Sequence, residues 1–174
     1  MSNLLTYPHS LLLKPTSPVN LDGEAEKVTQ IVTEMKEVIK TFDALGLAAN
    51  QLGYSKSIII IAPEQDKTNI RVFLNPEIIE SAEPEFVQES CLSFPGVLAR
   101  VKRYHGITMK YLSLDNREET EQFFDLPGQI AQHECDHLLG KTLAQVVSPA
   151  ERAKVLRQLT AGKRKIKKIL KAKS

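Results

Sequence analysis

The sequence lacks the features that mark several common classes of protein. It has two cysteines in 174 residues, too few for the disulfide framework of a small secreted domain. No apolar run approaches the roughly 20 residues that a membrane-spanning helix needs. Residues 1–13 lack the basic-then-apolar order of a signal peptide. Without internal repeats or long low-complexity linkers, and with 42% hydrophobic residues, the chain is expected to form one globular body with a continuous core.

Residues 133–137 read HECDH, a pattern that predicts metal-dependent hydrolysis. On a helix, His133 and His137 are four positions apart and lie on one face, so both imidazoles can reach one ion. Glu134 is close enough to move protons of an attacking water without being a ligand. Apolar residues recur at helical spacing around this pattern, and Gly140 is expected to end the helix. Because five residues also match by chance, the site needs a third ligand.

The chain after His137 offers no suitable third ligand. The longer protease pattern requires a histidine six residues later, where this chain has Leu143. The only later acid, Glu151, fits the start of another helix better. A third ligand is therefore expected upstream, and the candidates are Cys91, His105 and His9.

Two upstream segments favour Cys91. It lies in the run ESCLSFPG at 89–96, which ends in a turn-forming Pro-Gly pair. The segment LGLAANQ at 45–51 combines small residues, which allow close approach of the backbone, with the amide donor of Gln51. Together with HECDH, these segments resemble the three motifs of the peptide deformylase family, in the same order and at about the same spacing. The resemblance extends over nearly the whole chain.

Two positions depart from the family pattern. Ala44 and Ser90 stand where the family has glycine. Ala44 adds a methyl group beside the expected substrate groove, and Ser90 disfavours a left-handed backbone at its position. Neither change removes an expected ligand, so both bear on rate and substrate fit.

The resemblance implies a complete metal site. Cys91, His133 and His137 would hold one divalent ion. The family implies Fe²⁺ as the native ion, with Zn²⁺, Ni²⁺ and Co²⁺ as substitutes. One thiolate and two imidazoles also suit zinc. A thiolate ligand requires a reducing compartment, so a cytoplasmic location is expected.

The resemblance also implies the reaction, which is release of formate from N-formylmethionyl peptides. Glu134 would take a proton from the attacking water and return it to the leaving amine. The side-chain amide of Gln51 and the backbone N–H of Leu92 would stabilise the oxyanion. The apolar residues Leu45, Leu126 and Ile130 would form a wall for the methionine side chain. Backbone near Gly46 could pair with an extended peptide as an added strand.

Four further polar residues lie close to these motifs in the sequence. The family tends to place an ion pair near the site, at the positions of Glu89 and Arg103. Asp136 is interpreted as a partner for a neighbouring ligand. Cys135 points away from the two histidines on a helix, so packing is expected of it.

The hydrophobic pattern predicts an α+β fold, with mainly antiparallel sheets wrapped around the central HExxH helix. An amphipathic helix is expected over 24–42, and a second one begins at Ser148, whose neighbours form a capping box. Strands are expected at 57–61 and at 70–74, the latter ended by Asn75 and Pro76. Further strand pairing is expected for 78–79 with 86–87 across Pro84, and for a hairpin of 105–114 with 119–124 that turns near 115–116.

The charge of the chain is concentrated at its C-terminal end. Residues 151–174 hold ten of the 23 basic residues and one of the 21 acids, a formal charge of +9 against −7 for residues 1–150. We therefore expect a catalytic domain at 1–150 and a basic helical tail at 151–174. A solvated tail is the usual meaning of such a run, but deformylases are thought to dock on the ribosome by such a helix. The expected contacts with ribosomal RNA come from Lys163, Arg164, Lys165, Lys167 and Lys168. A monomer without membrane association is expected.

Three alternative functions remain open at this point. The chain could be a peptidase or another amidohydrolase with the same chemistry, although the missing downstream ligand argues against known protease layouts. It could be a non-catalytic, ribosome- or RNA-binding protein with a structural metal, which would not need Glu134. It could also be a deformylase-like enzyme that acts on a different acyl amide because of Ala44 and Ser90.

Overall fold

The computed structural model describes residues 4–64 and 67–171, with side chains described as far as residue 162. Within these residues, five strands form one antiparallel sheet in sequence order. They are β1 (Gly46–Ala48), β2 (Ile58–Ile61), β3 (Arg71–Cys91), β4 (Phe94–Leu112) and β5 (Glu118–Phe124). The helices are α1 (Leu21–Phe42), α2 (Asp125–Leu138), α3 (Leu143–Val146) and α4 (Pro149–Lys171). The predicted α+β class is confirmed.

The first helix follows the predicted pattern but begins three residues earlier. The side chain of Asn20 accepts the N–H of Asp22 at 3.1 Å and so provides the N-cap. The buried face packs into the first part of the core and consists of Val28, Ile31, Val32, Met35, Val38 and Ile39. The helix ends where Asp43 takes a left-handed conformation, with a φ of 50°.

The expectation that a strand ends at Asn75 and Pro76 is wrong, because β3 continues through them. The register shifts between Leu74 and Glu77, and Asn75 has a φ of 49°, so a bulge absorbs the proline. The Asn75 side chain accepts the N–H of Val19 at 2.7 Å and donates to its carbonyl at 2.9 Å. These bonds fix the N-terminal segment on the bulge.

The expected pairing of 78–79 with 86–87 across Pro84 is also wrong. Ile78 pairs with Met109 and Phe86 with Lys102, so both segments belong to β3 and both face β4. Pro84 is tolerated because β2 pairs with β3 only over 71–74, which leaves the other side of β3 at residue 84 without a ladder. The long β3–β4 hairpin turns at Leu92 and Ser93.

The second predicted hairpin is confirmed, although β4 begins at Phe94 and not at His105. β4 and β5 pair from Gly106 with Phe124 to Leu112 with Glu118. The turn contains Asn116, which has a φ of 61°.

Helix α2 lies against the sheet in the middle of the molecule. Its apolar side joins residues of β1 to β5 in one cluster that includes Ile59, Phe73, Met109, Phe123, Ile130 and Leu138. Gly140 follows the helix with a φ of 71°, as a helix-ending glycine does. The sheet and this packing together hold the HECDH residues inside the protein.

Helix α4 covers an open edge of the hairpin. The Ser148 hydroxyl accepts the N–H of Glu151 at 3.2 Å, as predicted for a cap. The Glu151 carboxylate accepts the backbone N–H of Arg100 at 3.2 Å, and Gln158 Oε1 accepts that of Leu98 at 3.0 Å. Because β5 pairs with β4 only over 106–112, the α4 side chains satisfy N–H groups that would otherwise belong to a bare edge. In the described part of the chain, no helix is long and apolar enough to cross a membrane.

Candidate active site

Three segments that are distant in the sequence meet at the HECDH pattern. The Cys91 Sγ atom and one ring nitrogen each of His133 and His137 all lie within 4.8 Å of one another. Sγ is 3.2 Å from Nε2 of His137, and the two imidazole centres are 5.1 Å apart. Cys91 reaches this place because it is the last residue of β3, where the hairpin turns beside α2. One thiolate and two imidazoles form a ligand set that suits a divalent transition metal.

A buried ion network orients His133. Its Nδ1 lies 2.9 Å from Glu89 Oε2, which leaves Nε2 for the cluster. Arg103 donates to Glu89 from Nε at 2.7 Å and from Nη2 at 2.9 Å, and to Asp136 from Nη1 at 2.5 Å. Burial raises the pKa of Glu89, but the hydrogen bonds of His133 and Arg103 outweigh it and lower the pKa to about 2. Glu89 is therefore an anion that can hold the ring of His133 in place, as the family pattern implies for the Glu89–Arg103 pair.

The two imidazoles have opposite pKa shifts. Burial lowers the pKa of His133, but the hydrogen bond and charge of Cys91 and the hydrogen bond of Glu89 outweigh it and raise the pKa well above its usual range. Burial and the neighbouring charge of His133 hold the pKa of His137 well below its usual range. A positive charge is therefore stabilised between Cys91 and Glu89. Positive charge is thus favoured beside the Cys91 thiol, and the one thiol and two imidazoles gathered there form a donor set that fits a divalent metal ion.

Asn50 is a site residue that the sequence analysis missed. Its Nδ2 donates to the backbone carbonyl of His137 at 2.6 Å, so it fastens the end of α2 to the segment that carries Gln51. The sequence feature that could have indicated Asn50 is its amide side chain at the end of a run of small and apolar residues. Its neighbour Gln51 was identified as an amide donor in the same run, and the family motif, which includes that glutamine, gave it a role.

Glu134 lies in a close contact with β1. The residue is 4% exposed, and its Oε2 atom has no hydrogen-bond partner among the described residues. A Cβ added to Gly46 would lie 2.6 Å from Glu134 Oε1 and 2.5 Å from Cγ2 of Ile130, so only glycine leaves room for this carboxylate. Burial raises the pKa of Glu134 to about 7, with the charge of His133 acting in the opposite direction. A carboxyl group with such a pKa can both accept and donate a proton near neutral pH.

The Gln51 amide lies at the other side of the cluster. Its Nε2 is 3.6 Å from Cys91 Sγ and donates to Ser93 Oγ at 3.1 Å. Its Oε1 accepts the N–H of Ala48 at 2.9 Å. Leu92 occupies the turn directly after Cys91. The Gln51 side-chain amide and the Leu92 backbone, which were expected to donate hydrogen bonds to the oxyanion, are thus both next to the Cys91 thiol.

The expected apolar wall is only partly enclosed. Gly46 and Ile130 meet beside Glu134, whereas Leu45 and Leu126 remain 37% and 42% exposed. Leu45 precedes Gly46 in the chain, and Leu126 is one helical turn before Ile130. The two exposed leucines therefore adjoin the buried pair.

The other candidates lie outside the cluster. The side chain of His9 accepts the N–H of Leu11 at 3.3 Å on the surface. His105 is 3.5 Å from Asp125 and is partly exposed. Cys135 packs in the core around α2, and burial raises its thiol pKa. Asp136 binds Arg103 and so takes part in the network behind His133.

The two departures from the family pattern fit the local backbone. Ala44 packs against the core, and its N–H donates to the Ile39 carbonyl at 3.0 Å. Ser90 lies at a register shift of β3, and its φ is not positive, so its Cβ carries no left-handed penalty. The tail side chains of Lys163, Arg164, Lys165, Lys167 and Lys168 lie outside the described residues.

Comparison with known proteins agrees with this geometry. The family model for polypeptide deformylase matches residues 1–153. Peptide deformylase 1 of Shewanella oneidensis is 35% identical over 156 residues, which cover 90% of this chain and 92% of the relative. Peptide deformylase 1 of Burkholderia multivorans is 34% identical over 158 residues, which cover 88% and 84% of the two chains. The crystal structure of a peptide deformylase from Legionella pneumophila superposes with a TM-score of 0.86 and 30% identity, over 100% of this chain and 99% of the other.

The match thus spans the sheet, α2 and all three site segments. It confirms the resemblance seen in the sequence. The chain is therefore assigned neither to a protease family nor to a family of non-catalytic binding proteins. The chain belongs to the polypeptide deformylase family, the metal-dependent hydrolases that remove the N-formyl group from newly made polypeptides.

Proposed function

We propose that Cys91, His133 and His137 hold one divalent ion and that Glu134 is the acid–base group of N-formyl hydrolysis. One observation carries this proposal: three metal-capable atoms lie within 4.8 Å of one another beside a buried carboxylate oxygen that lacks a partner among the described residues. A structural metal site would have no use for such a carboxylate, because burying it without a partner is costly.

The ion, when bound, supplies a Lewis acid that polarises the formyl carbonyl and acidifies water. We propose Fe²⁺ as the native ion, with Zn²⁺, Ni²⁺ or Co²⁺ able to take its place. The mixed sulfur and nitrogen ligands are compatible with all four. Glu89 keeps the Nε2 atom of His133 directed at the ion, and Asn50 holds the backbone of His137.

Glu134 would transfer protons in both halves of the reaction. It accepts one from the attacking water and later gives it to the amine that leaves, so that formate and a free N-terminus result. Its pKa of about 7 suits both steps near neutral pH. Gly46 leaves room for the carboxylate, because no Cβ stands in its way.

Gln51 and Leu92 would stabilise the oxyanion. The Nε2 group of Gln51 is fixed on the side of Cys91, and the Leu92 backbone N–H belongs to the adjoining turn. Preorganised donors of this kind each contribute about a hundredfold to a thousandfold to kcat.

The proposed substrate is an N-formylmethionyl peptide in an extended conformation. β1 pairs with β2 on one side only, so the backbone at Gly46 can accept a peptide as an added strand. Leu45, Leu126 and Ile130 would contact the methionine side chain.

The test is formate release from a formyl-Met peptide, with bound metal measured in the same sample. Glu134→Gln should keep the metal and lose about a hundredfold to ten-thousandfold in kcat. An N-acetyl-Met peptide serves as the control substrate, because it differs by one methyl group at the attacked carbon. Full activity of a metal-loaded Glu134→Gln protein, or equal cleavage of both peptides by the unaltered protein, would reject the assignment.

We further propose a cytoplasmic monomer whose residues 151–174 form a ribosome-binding tail, separate in function from the catalytic residues 1–150. The formal charge of +9 on the tail suits the phosphates of ribosomal RNA, and its affinity should fall steeply as salt rises. Deletion of 163–174 should preserve hydrolysis of a short peptide and weaken co-sedimentation with ribosomes at low salt. A variant with glutamine at the five residues Lys163, Arg164, Lys165, Lys167 and Lys168 keeps the length and tests charge alone. Undiminished sedimentation of both variants would place docking elsewhere.

A further inference from the structure

Two buried groups hold the Gln51 side chain from opposite ends. Its Oε1 accepts the Ala48 N–H at 2.9 Å, and its Nε2 donates to Ser93 Oγ at 3.1 Å. Reversing the amide would place its NH₂ group against the Ala48 N–H, donor against donor. These two bonds therefore decide that the nitrogen, and not the oxygen, faces Cys91.

Ser93 lies next to the metal-capable cluster without belonging to it. It is fully buried, two residues after Cys91, in the turn between β3 and β4. The Gln51 nitrogen has two hydrogens. One of them binds Ser93 Oγ, and this bond turns the other toward Cys91 Sγ, which lies 3.6 Å from the nitrogen. An oxyanion formed at the cluster would accept this second hydrogen in place of the sulfur.

The backbones that carry Gln51 and Ser93 are tied together by the N-terminal segment. The N–H of Leu5 donates to the Gln51 carbonyl at 2.7 Å, and that of Tyr7 donates to the Ser93 carbonyl at 3.0 Å. The Tyr7 ring also stacks on Phe94, with centroids 4.9 Å apart. The distance between Gln51 and Ser93 is thus fixed by main-chain contacts before any substrate arrives.

We propose that Ser93 is a positioning residue, whose hydroxyl accepts one hydrogen of the Gln51 amide and thereby aims the other at the substrate oxyanion. The inference rests on the proposed role of Gln51 as a donor in the transition state. Ser93 needs no contact with the substrate or the ion for this action. Its loss should lower kcat and leave KM nearly unchanged, because the affected bond strengthens only in the transition state.

The experiment is a double-mutant cycle in metal-loaded protein, with kcat and KM measured for the unaltered chain, Ser93→Ala, Gln51→Ala and the double variant. We expect Ser93→Ala to lower kcat about tenfold when Gln51 is present and less than about twofold when it is absent, since residues that act through one bond are not additive. Thr142→Val is the matched control. Its hydroxyl is also buried, and it bonds Gln145 at the start of α3. This control should leave kcat unchanged in both backgrounds, whatever its effect on the thermal midpoint.

A nitrogen–proton NMR spectrum of the zinc-loaded protein gives a readout without turnover. The side-chain amide pair that disappears in Gln51→Ala identifies Gln51. In Ser93→Ala the signals of this pair should change their chemical shifts, and the two amide hydrogens should exchange faster with solvent. An equal loss of kcat in both backgrounds, or an unmoved amide pair, would overturn the role of Ser93. Unchanged kcat in Gln51→Ala would instead reject the proposed donor role of Gln51, and the inference with it.

Discussion

The contact between β1 and α2 allows a quantitative prediction for Gly46→Ala. The backbone at Gly46 needs no positive φ, so alanine is acceptable to the chain itself. The new Cβ, however, would lie 2.5 Å from Ile130 Cγ2 and 2.6 Å from Glu134 Oε1. Ordinary contacts begin near 3.4 Å, so these atoms must move by about 0.9 Å and 0.8 Å. Both side chains are buried, and neither can swing into solvent.

The expected result is a large loss of activity in a protein that remains folded. Overpacking of this kind costs about 1–3 kcal/mol, which lowers the thermal midpoint of a chain of this size by about 2–4 °C per kcal/mol. A catalytic group displaced by about 1 Å loses roughly a hundredfold in rate. Formate release and calorimetry measure the two effects, and the metal content should remain that of the unaltered protein.

The matched control is Gly23→Ala. Among the described residues, and apart from its chain neighbours and the backbone of its own helix, no atom lies within 4 Å of a Cβ at that position. The residue is in the first turn of α1. Alanine there should leave kcat unchanged and stabilise the helix by up to about 1 kcal/mol. Normal kcat/KM and an unchanged midpoint in Gly46→Ala would refute the argument that glycine is required to make room for Glu134.

Three further predictions concern the choice between the two cysteines, the native metal, and the packing of α4. Cys91→Ser should weaken metal binding in equilibrium dialysis, whereas Cys135→Ser should not, because Cys135 packs in the core; the reverse order would mean that the wrong cysteine has been assigned. Protein purified in air should lose activity as iron oxidises or zinc replaces it, and should regain it with Co²⁺ or Ni²⁺; equal and air-stable activity of the iron and zinc forms would contradict this. Gly162→Ala should lower the thermal midpoint although alanine favours helices, because its Cβ would lie 2.6 Å from the Pro95 carbonyl oxygen; a raised midpoint would show that α4 does not pack closely against the turn after Cys91.

The elements that the sequence predicted well are those whose signal is local. The apolar period of 24–42 gives α1, and the HECDH spacing gives the face of α2 that holds His133 and His137. Caps at Ser148 and Gly140 are set by neighbouring residues and were also foreseen. The family came from three motifs in order, and it was confirmed by the comparisons.

Strand pairing was predicted less well because its partners are distant in the chain. Short-range patterns suggested a break at Pro76 and a turn at Pro84. Both prolines instead lie inside β3, since β4 offers a continuous partner and a bulge takes up the first proline. A strand tolerates proline only where the proline nitrogen faces no hydrogen-bonding partner, and the arrangement of partners is set by the whole sheet.

The sequence by itself indicated the cysteine and the two histidines that the structure brings together, the helix that carries the two histidines, and the family to which the chain belongs. The Glu89–Arg103 pair was implied by the family pattern, but other links between segments were not foreseen. These are the bond from Asn50 to His137, the contact of His133 with Glu89, and the Gln51–Ser93 pair. Each of these links joins residues brought together by the β3–β4 hairpin, α2 and the segment after β1. Whether such groups bond depends on differences of a few tenths of an ångström in their separation, which only the packed tertiary structure decides.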